Sequence, residues 1–419
     1  MTVFRSSPGT GQLFLSSSSE TAPAQFTHLS GTYPLKLLAP TPLPSQPSNL
    51  RVCYMLAYGG GLVAGDAISL HVRVGNGSRL LLLTQGSTKV FKNRTGLRPS
   101  LAKGDDDGSY PRGGGGTSTS EITRQRLLVH LEPGSLLLLL PDPIQPFKSS
   151  SYIQSQRFVF PAPSSSPSDH TDTAPANALI LDWYTSGRNI TQSSTSKYQE
   201  EWEFDVYSSM NEIVYAPPTD IPPVQPSNEH LAHVNGNKTH LSPAPTTPST
   251  TIPFMHEKVT LINSPPSTST STDTSRTITD ISLGTALQTR MRPYQTYATL
   301  LVHGPLLEPL TNHLAKLANS QRERQFQGNK PDGLVWSFSM IAPPREGVHF
   351  FPRAGPGILD ENSGGGGGGG GGGVSIGGGT GILRVAGTET ERVKLWIEEA
   401  LVAGRVRELV GDALWQRVF

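Results

Sequence analysis

Apolar and polar residues alternate with a period of two along much of the chain. In the segment 66–74, Ile68 and Val72 fall on one face while Ser69 and Arg73 fall on the other. Such alternation is typical of a half-buried β-strand. The turn residues 75–77 (Gly-Asn-Gly) follow, and they accept positive φ at little cost. The pattern therefore predicts that 66–74 and 79–85 form a β-hairpin.

The same plan of strand, turn and strand recurs further along the chain. Residues 126–131, the turn Glu-Pro-Gly at 132–134 and the leucine run 136–140 predict a second hairpin. Further strands are predicted at 152–160, 178–184, 201–207, 297–302, 334–340 and 381–386. Many consecutive strands with turn signals between them indicate a mainly-β domain.

Two segments break this pattern with helical spacing. Leucines recur at 306, 310, 314 and 317, which predicts a helix over 306–320. A second helix is predicted after Thr388, because Thr388 and Glu391 form a capping-box pattern. Its apolar stripe is Val393, Trp396, Ile397, Ala400 and Leu401. We interpret that stripe as core packing.

Composition predicts less folded mass than the length allows. The chain has 419 residues with 44 Gly, 36 Pro and 35% hydrophobic residues. Gly, Pro, Ser and Thr are concentrated at about 95–120, 161–176, 216–250, 263–279 and 361–380, the last including the run Gly364–Gly373. Such segments bury too little apolar surface to offset the entropy cost of ordering them. We expect a single domain spanning 1–419, with a core of about 30–400 interrupted by disordered loops.

Charge and targeting signals exclude several classes of protein. The net charge of +1 provides no basic field for nucleic acid. No apolar run approaches the roughly 18–20 residues of a membrane span, and the N-terminus lacks the apolar region of a signal peptide. The single cysteine, Cys53, excludes an internal disulfide and fits a reducing, cytoplasmic location.

The motif GGGLVAGD at 59–66 is the first candidate for chemistry. A phosphate loop would need Lys and Ser or Thr after its last glycine, whereas Asp66 follows Gly65 here. We therefore interpret Gly59, Gly60, Gly61 and Gly65 as a tight structural turn beside Asp66. Because Asp66 shares the parity of Ile68, its carboxylate is expected to point inward. There it would either pair with a donor such as Lys89 or Arg188 or line a wet path for a cation.

Other candidate sites are weaker. His230, His233 and His240 lie in a Pro/Ser/Asn-rich stretch and are interpreted as part of a solvated loop, and His256 lacks the second histidine of an H-E-x-x-H motif. The chain contains no G-x-S-x-G nucleophile motif and no carboxylate pair in a context that separates acid from base. The residues alone assemble no active site.

Several segments together resemble the urease accessory protein family UreD, also called UreH. They are GGGLVAGD at 59–66, TQGSTKV at 84–90, LPDP at 140–143 with Phe147 and Gln154, LDWYTSGR at 181–188, EEWEF at 200–204, HGP at 303–305 and GILRVA at 381–386. Their common order covers most of the chain outside the low-complexity blocks. Gln199 replaces an expected glycine, and Phe91 and Lys92 follow Val90 where Tyr and Arg are usual. The long insertions are typical of a eukaryotic, fungal-like member.

The resemblance implies a mainly-β fold of stacked sheets, sandwich- or solenoid-like, with a small helical portion of about two helices. It also implies a non-enzymatic scaffold or chaperone that binds apo-urease and the accessory protein UreF, which recruits the nickel-carrying GTPase UreG. No cofactor is expected to be bound permanently, and nickel would pass through in transit. Neither nucleic acid nor membrane is an expected partner.

A nickel path would need sparse oxygen and nitrogen ligands, because one tight site would trap the ion. The candidates within the resembling motifs are Asp66, Thr84, Thr88, Lys89, Asp142, Asp182, Arg188 and Glu200. No strong static metal site is predicted, and transient nickel contacts are assigned to Asp66, Asp142 and Glu200.

Structural roles remain open for the same residues. Asp66 would then cap the glycine turn, Asp142 would fix a bend, Asp182 would pair with Arg188, and Lys89 would be a surface charge. Two other functions also stay open: a β-rich protein-binding adaptor with no metal role, and a carbohydrate-active enzyme. The enzyme would need two carboxylates roughly 5–10 Å apart in a cleft.

Overall fold

The structure is a computed structural model. It describes residues 7–18, 22–92, 122–161, 174–188, 200–216, 251–263, 286–325, 333–341 and 379–418. Two stacked β-sheets form its body, with helices against the outer face of one of them. The mainly-β prediction is confirmed.

The first sheet has seven strands, in the spatial order β15-β14-β12-β9-β6-β1-β2. Their bounds are β1 Thr10–Ser16, β2 Gln25–Gly31, β6 Ala67–Val74, β9 Thr123–Leu131, β12 Ser151–Pro161, β14 Val206–Ala216 and β15 Ile252–Ile262. The strands β1, β6, β9, β12 and β14 are mutually parallel, and antiparallel β2 and β15 flank them.

The second sheet has eleven strands, with the main order β17-β18-β16-β13-β10-β7-β4-β3. Their bounds are β3 Leu35–Leu38, β4 Leu50–Ala57, β7 Arg79–Leu83, β10 Leu136–Leu139, β13 Asn177–Thr185, β16 Thr296–His303, β17 Leu334–Ile341 and β18 Thr380–Gly387. Short strands β5 Gly61–Leu62, β8 Thr88–Val90 and β11 Ile144–Pro146 extend it at one end.

Five helices occur in the described residues, where about two were expected. They are α1 Ala286–Met291, α2 Glu308–Gln325, α3 Thr390–Ala403, α4 Val406–Val410 and α5 Asp412–Trp415, with 3-10 turns at Tyr58–Gly60 and Pro305–Leu307. The two long helices are the predicted ones. The predicted stripe of α3 is confirmed as core packing at Val393, Ile397, Ala400 and Leu401, whereas Trp396 is only half-buried against Trp336.

Both predicted hairpins are wrong. The turn after Val74 carries the chain from β6 in the first sheet to β7 in the second, and the turn at 132–134 does the same between β9 and β10. Each strand pairs with parallel neighbours from the previous and next winding instead. Gly and Asn turns permit a tight reversal, but they do not decide whether the next strand pairs with the last one or packs across from it.

The difference between the sheets explains two sequence patterns. The first-sheet strand β6 alternates between buried and exposed residues, because only one of its faces contacts the core. The second-sheet strands β10 and β13 are buried at every position, because one face packs on the first sheet and the other on the helices. A continuous apolar run is typical of a strand covered on both faces.

Two predicted boundaries also differ from the structure. The segment 201–207 was predicted as a strand, yet residues 201–205 form a loop with Trp202 at φ 60°, and β14 begins only at Val206. The second long helix begins at Thr390, and Thr388 donates its hydroxyl to the Gly333 carbonyl instead of capping that helix. In the 201–205 loop, the buried Trp202 and Phe204 mimic strand alternation.

The packed core extends beyond the expected limits of about 30 and 400. Leu13 and Leu15 on β1 are buried, as are Val410 and Trp415 near the other end. The predicted loops fall almost entirely outside the described residues, as do the run Gly364–Gly373 and the histidines at 230, 233 and 240. Among the described helices, none is long and apolar enough to cross a membrane.

Candidate functional site

A polar cluster lies inside the stack, between the two sheets. It consists of Gln154 on β12, Asp182 on β13, Ser209 and Asn211 on β14, and Glu257 on β15. Each side chain points inward from its strand and is at least nine-tenths buried. A buried polar group is costly unless it is hydrogen-bonded, so the contacts of this cluster decide whether the core tolerates it.

Asp182 is the centre of the cluster. Ser209 Oγ donates to Asp182 Oδ2 at 2.5 Å, and Asn211 Nδ2 donates to the same oxygen at 2.7 Å. Gln154 Nε2 donates to Asp182 Oδ1 at 3.2 Å. Burial raises the pKa of the Asp182 carboxyl, and the hydrogen bonds from Ser209 and Asn211 oppose that rise.

Asn211 connects Asp182 to a second buried carboxyl. Its Nδ2 also lies 3.3 Å from Glu257 Oε2, so one amide group contacts two acidic side chains. Burial raises the pKa of Glu257, and the nearby Asp182 charge raises it further, whereas Asn211 and Arg384 oppose the rise. Asn211 Oδ1 is buried and has no hydrogen-bond partner in the described part of the chain. Oxygen groups are thus concentrated along this part of the interior.

The cluster continues into a small cavity towards one end of the stack. Its polar lining is Thr84, Thr88, Gln125, Asp142, Gln154, Gln156 and Asp182. Thr84 follows β7 and Asp142 follows β10. Because these strands are parallel neighbours, the loops after them meet at the same end of the sheet. Four of the predicted site residues, Thr84, Thr88, Asp142 and Asp182, therefore line one cavity.

Asp142 also has a structural role. Its Oδ2 accepts a hydrogen bond from Gly86 N at 2.8 Å, and its own N–H donates to Thr84 Oγ1 at 2.7 Å. These bonds tie the loop after β7 to the loop after β10. The bend predicted for Asp142 is thus present, and its carboxylate also borders the cavity.

The other predicted residues lie away from the cavity lining. Asp66 Oδ2 accepts a hydrogen bond from Val63 N at 2.9 Å, which caps the glycine turn. The expected donors Lys89 and Arg188 are exposed instead, and Arg188 lies over the Phe147 ring. The expected pairing of Asp182 with Arg188 is wrong, because buried neutral groups surround Asp182.

Glu200 and the predicted turn glycines have structural roles in the loops. Glu200 Oε2 accepts a hydrogen bond from Lys148 N at 3.3 Å. Gly59, Gly60 and Gly65 have φ between 76° and 82°, so the turn interpretation holds for them. The fourth, Gly61, allows a close approach, since a Cβ there would lie 2.6 Å from the Lys89 carbonyl oxygen.

Sequence reasoning missed Asn211 and Glu257. On β14, Tyr207, Ser209, Asn211 and Ile213 share the inward face, so polar residues at core parity were the available signal. That signal was hidden because the strand was predicted to end at Tyr207. Glu257 was passed over beside His256, which is exposed, whereas Glu257 is buried. The described residues contain no cluster of three or more His, Cys, Asp or Glu that could hold a metal ion.

Comparison with known proteins is consistent with the motif pattern. The sequence profile described as UreD urease accessory protein matches residues 9–220. Urease accessory protein 4 of Cryptococcus neoformans var. grubii is 36% identical over 98% of this chain and 94% of its own length. A urease accessory protein ureD-like chain of Schizosaccharomyces pombe is 34% identical over 43% of this chain and 46% of its own. Urease accessory protein D of Oryza sativa subsp. indica is 32% identical over 43% and 45%.

Proposed function

Since this chain belongs to the UreD family of urease accessory proteins, we propose that it is a scaffold that binds apo-urease and carries Ni²⁺ towards the urease active site. The family role is an accessory one in urease maturation, which supports a function other than catalysis. Within the proposal, it contacts UreF, recruits the GTPase UreG through UreF, acts in the cytoplasm, and turns over no substrate itself. Nickel is its cargo and not a resident cofactor.

The observation that supports nickel passage is the polar line between the sheets. It runs from Thr84, Thr88 and Asp142 at the cavity, through Asp182, to Asn211 and Glu257. Ni²⁺ accepts oxygen and nitrogen ligands, and ligands spread along a path favour transfer over capture. A scaffold that needed only shape would be expected to fill these positions with apolar side chains, because buried carboxyls cost stability.

The residues proposed to contact nickel differ from those expected from the sequence. Of Asp66, Asp142 and Glu200, only Asp142 borders the cavity, whereas Asp66 caps a turn and Glu200 accepts from a backbone N–H. Asp182, Asn211 and Glu257 take the other places in the proposed path. The adaptor alternative assigns the same cluster to core specificity alone.

The test is nickel delivery by an intact complex. Asp182→Asn and Glu257→Gln replace each carboxyl by an amide while keeping side-chain shape, and Asp66→Asn is the matched control off the path. Each variant is assembled with apo-urease, UreF and UreG, the complex is checked by size-exclusion chromatography, and nickel bound to urease is measured by mass spectrometry at limiting Ni²⁺.

We expect the Asp182 and Glu257 variants to form the complex yet load at least tenfold less nickel, with the Asp66 variant unchanged. Full loading by both path variants would contradict nickel passage and support the adaptor alternative. Failure of the wild-type chain to bind apo-urease would overturn the scaffold itself. Substrate turnover by the purified chain, lost on a point substitution, would contradict the non-enzymatic part of the proposal.

A further inference from the structure

The loops that resemble the family motifs meet at one end of the stack. Strands β4, β7, β10 and β13 of the second sheet are parallel neighbours, so the segments that follow them share that end. Those segments include the turn at 58–60 and the loops at 84–92, 141–148 and 186–188. Lys89 and Arg188 lie here, away from the cavity lining.

At this end of the stack, Gly61 allows the side chains of Lys89 and Phe91 to approach closely. A Cβ on Gly61 would lie 2.7 Å from the Phe91 ring and 3.0 Å from the Lys89 Cβ. The missing side chain therefore lets strand β8 lie close against β5, with the Phe91 ring across the glycine. Lys89 and Phe91 are two residues apart and both face Gly61, so the cation and the ring share one face.

Two of the cations at this end of the stack lie over aromatic rings. The Arg188 guanidinium lies 4.2 Å from the centroid of Phe147, and Phe147 contacts Phe91 edge-on at 5.5 Å. Lys36 Nζ lies 5.8 Å from the centroid of Tyr58, which is 50% exposed. The ring's negative face attracts the cation, which restricts where the charge can go.

These cations have no acidic partner within the described part of the chain. Lys36, Lys89 and Arg188 make no ion pair there, although all three are exposed. The one acidic residue of those loops and a neighbouring glutamate are already engaged. Asp142 accepts from Gly86 N, and Glu203 pairs with Lys148 at 3.0 Å. Outward-facing positive charge therefore remains beside the exposed Tyr58 ring and the partly buried Phe91 ring.

We propose that Lys36, Lys89 and Arg188, with Tyr58 and Phe91 beside them and the buried Phe147 beneath Arg188, form a docking surface for an acidic segment of a partner protein. We call this surface the basic rim. A guanidinium binds a carboxylate through two parallel hydrogen bonds, and the ring beneath it keeps the fork in place. The net charge of +1 supplies no long-range field of the kind that nucleic acid binding uses. The choice of apo-urease as the partner rests on the proposed function.

Charge reversal tests the basic rim. The rim variant is Lys36→Glu/Lys89→Glu/Arg188→Glu, and the matched control is Arg124→Glu/Arg126→Glu/Lys258→Glu, at exposed positions of the first sheet. Both variants change the net charge equally. Binding of each full-length chain to apo-urease is measured by biolayer interferometry over a range of salt concentrations, with melting curves to confirm folding. If the charge-reversal rim variant does not fold, the milder variant Lys36→Gln/Lys89→Gln/Arg188→Gln replaces it.

We expect the rim variant to lose at least tenfold in association rate at low salt and the control to lose less than twofold, with the difference shrinking as salt screens the charges. Equal loss in both variants would overturn the rim. If wild-type chain binds apo-urease and the rim variant binds equally well, the rim fails while the scaffold function survives. If the wild type does not bind, both fail.

Zero-length carbodiimide cross-linking identifies the occupant, because it joins a lysine amine only to a carboxylate in direct contact. In the complex with apo-urease, we expect Lys36 or Lys89 to couple to Asp or Glu of the partner, and Lys258 not to. Coupling of Lys89 to Asp105, Asp106 or Asp107 of its own chain would overturn the proposal. It would also be overturned if the wild-type chain bound a thymidine oligonucleotide and the rim variant did not.

Discussion

The two faces of strand β13 border two different cores. One face, with Leu179, Leu181 and Trp183, packs against the helices in an apolar core. The other face points to the first sheet and carries Asp182 between Ile180 and Tyr184. Both cores consist of buried side chains, yet only the inter-sheet core holds the carboxyls of Asp182 and Glu257. The polar interior is therefore confined to specific inward positions of the strands and does not result from loose packing.

The largest expected effect tests the apolar side of that comparison. Trp183 is 2% exposed, and its Nε1 donates to the Pro141 carbonyl at 2.7 Å. Trp183→Ala should lower the free energy of unfolding by about 3–5 kcal/mol, because it opens a large cavity. Urea denaturation measures the change. A loss below about 1 kcal/mol would show that this core does not stabilise the fold.

The adjacent residue tests the polar side. Asp182→Ala removes the acceptor of Gln154, Ser209 and Asn211, and leaves buried donors unpaired. We expect a loss of about 2–4 kcal/mol in the free energy of unfolding. Asp182→Asn should recover part of it, because the amide oxygen still accepts. If Asp182→Ala stabilised the chain, the cluster would be a cost retained for function alone.

A third prediction concerns pH, and it separates the cores by titration. Burial lowers the pKa of His303, which faces the inter-sheet core, to about 4. The pKa of a histidine in the unfolded chain is about 6.5. Between pH 6.5 and pH 4 the unfolded state therefore binds more protons than the folded state. The free energy of unfolding decreases as the pH falls through this window. The predicted loss between pH 7 and pH 5 is about 2 kcal/mol.

The opposite sign applies to the buried carboxyls. The pKa values of Asp182 and Glu257 are raised, so their contribution is lost as the pH rises through the folded value. The measurement is therefore the difference between wild type and His303→Gln in urea denaturation at both pH values, in which the carboxyl contributions cancel. Equal pH dependence of the two chains would contradict the assignment to His303.

The smallest effect is expected at Asp66, an aspartate outside both cores. Asp66→Asn should change the free energy of unfolding by less than about 1 kcal/mol, because asparagine also accepts the hydrogen bond from Val63 N. Asp182→Asn provides the comparison at a buried position. A larger loss at Asp66 than at Asp182 would reverse the proposed ranking of the two carboxylates. Calorimetric melting curves of both variants decide this.

Periodicity predicted both long helices and many of the strands from β6 onwards, since it reports which face is buried, but the strands β1 to β4, most of β14 and β15 were missed. The sequence placed Thr84, Thr88, Asp142 and Asp182 among the candidates through the family resemblance, and these residues meet at one cavity. It failed at Asn211 because a misplaced strand boundary concealed the inward parity of β14, and at Glu257 because no strand was predicted where β15 lies. It also misassigned the partners of Asp182 and Asp66, because spacing along the chain does not reveal contacts across sheets.

The sequence by itself determined the mainly-β class, the glycine turns and the family, because these depend on local backbone preference and on ordered motifs. Only the tertiary structure decided that β6 and β7 enter different sheets and do not form a hairpin. It also decided that the inward residues of β12, β13, β14 and β15 form one polar cluster. Both outcomes depend on which strands become neighbours, and pairing between parallel windings is fixed by packing over long sequence separations, which no local pattern encodes.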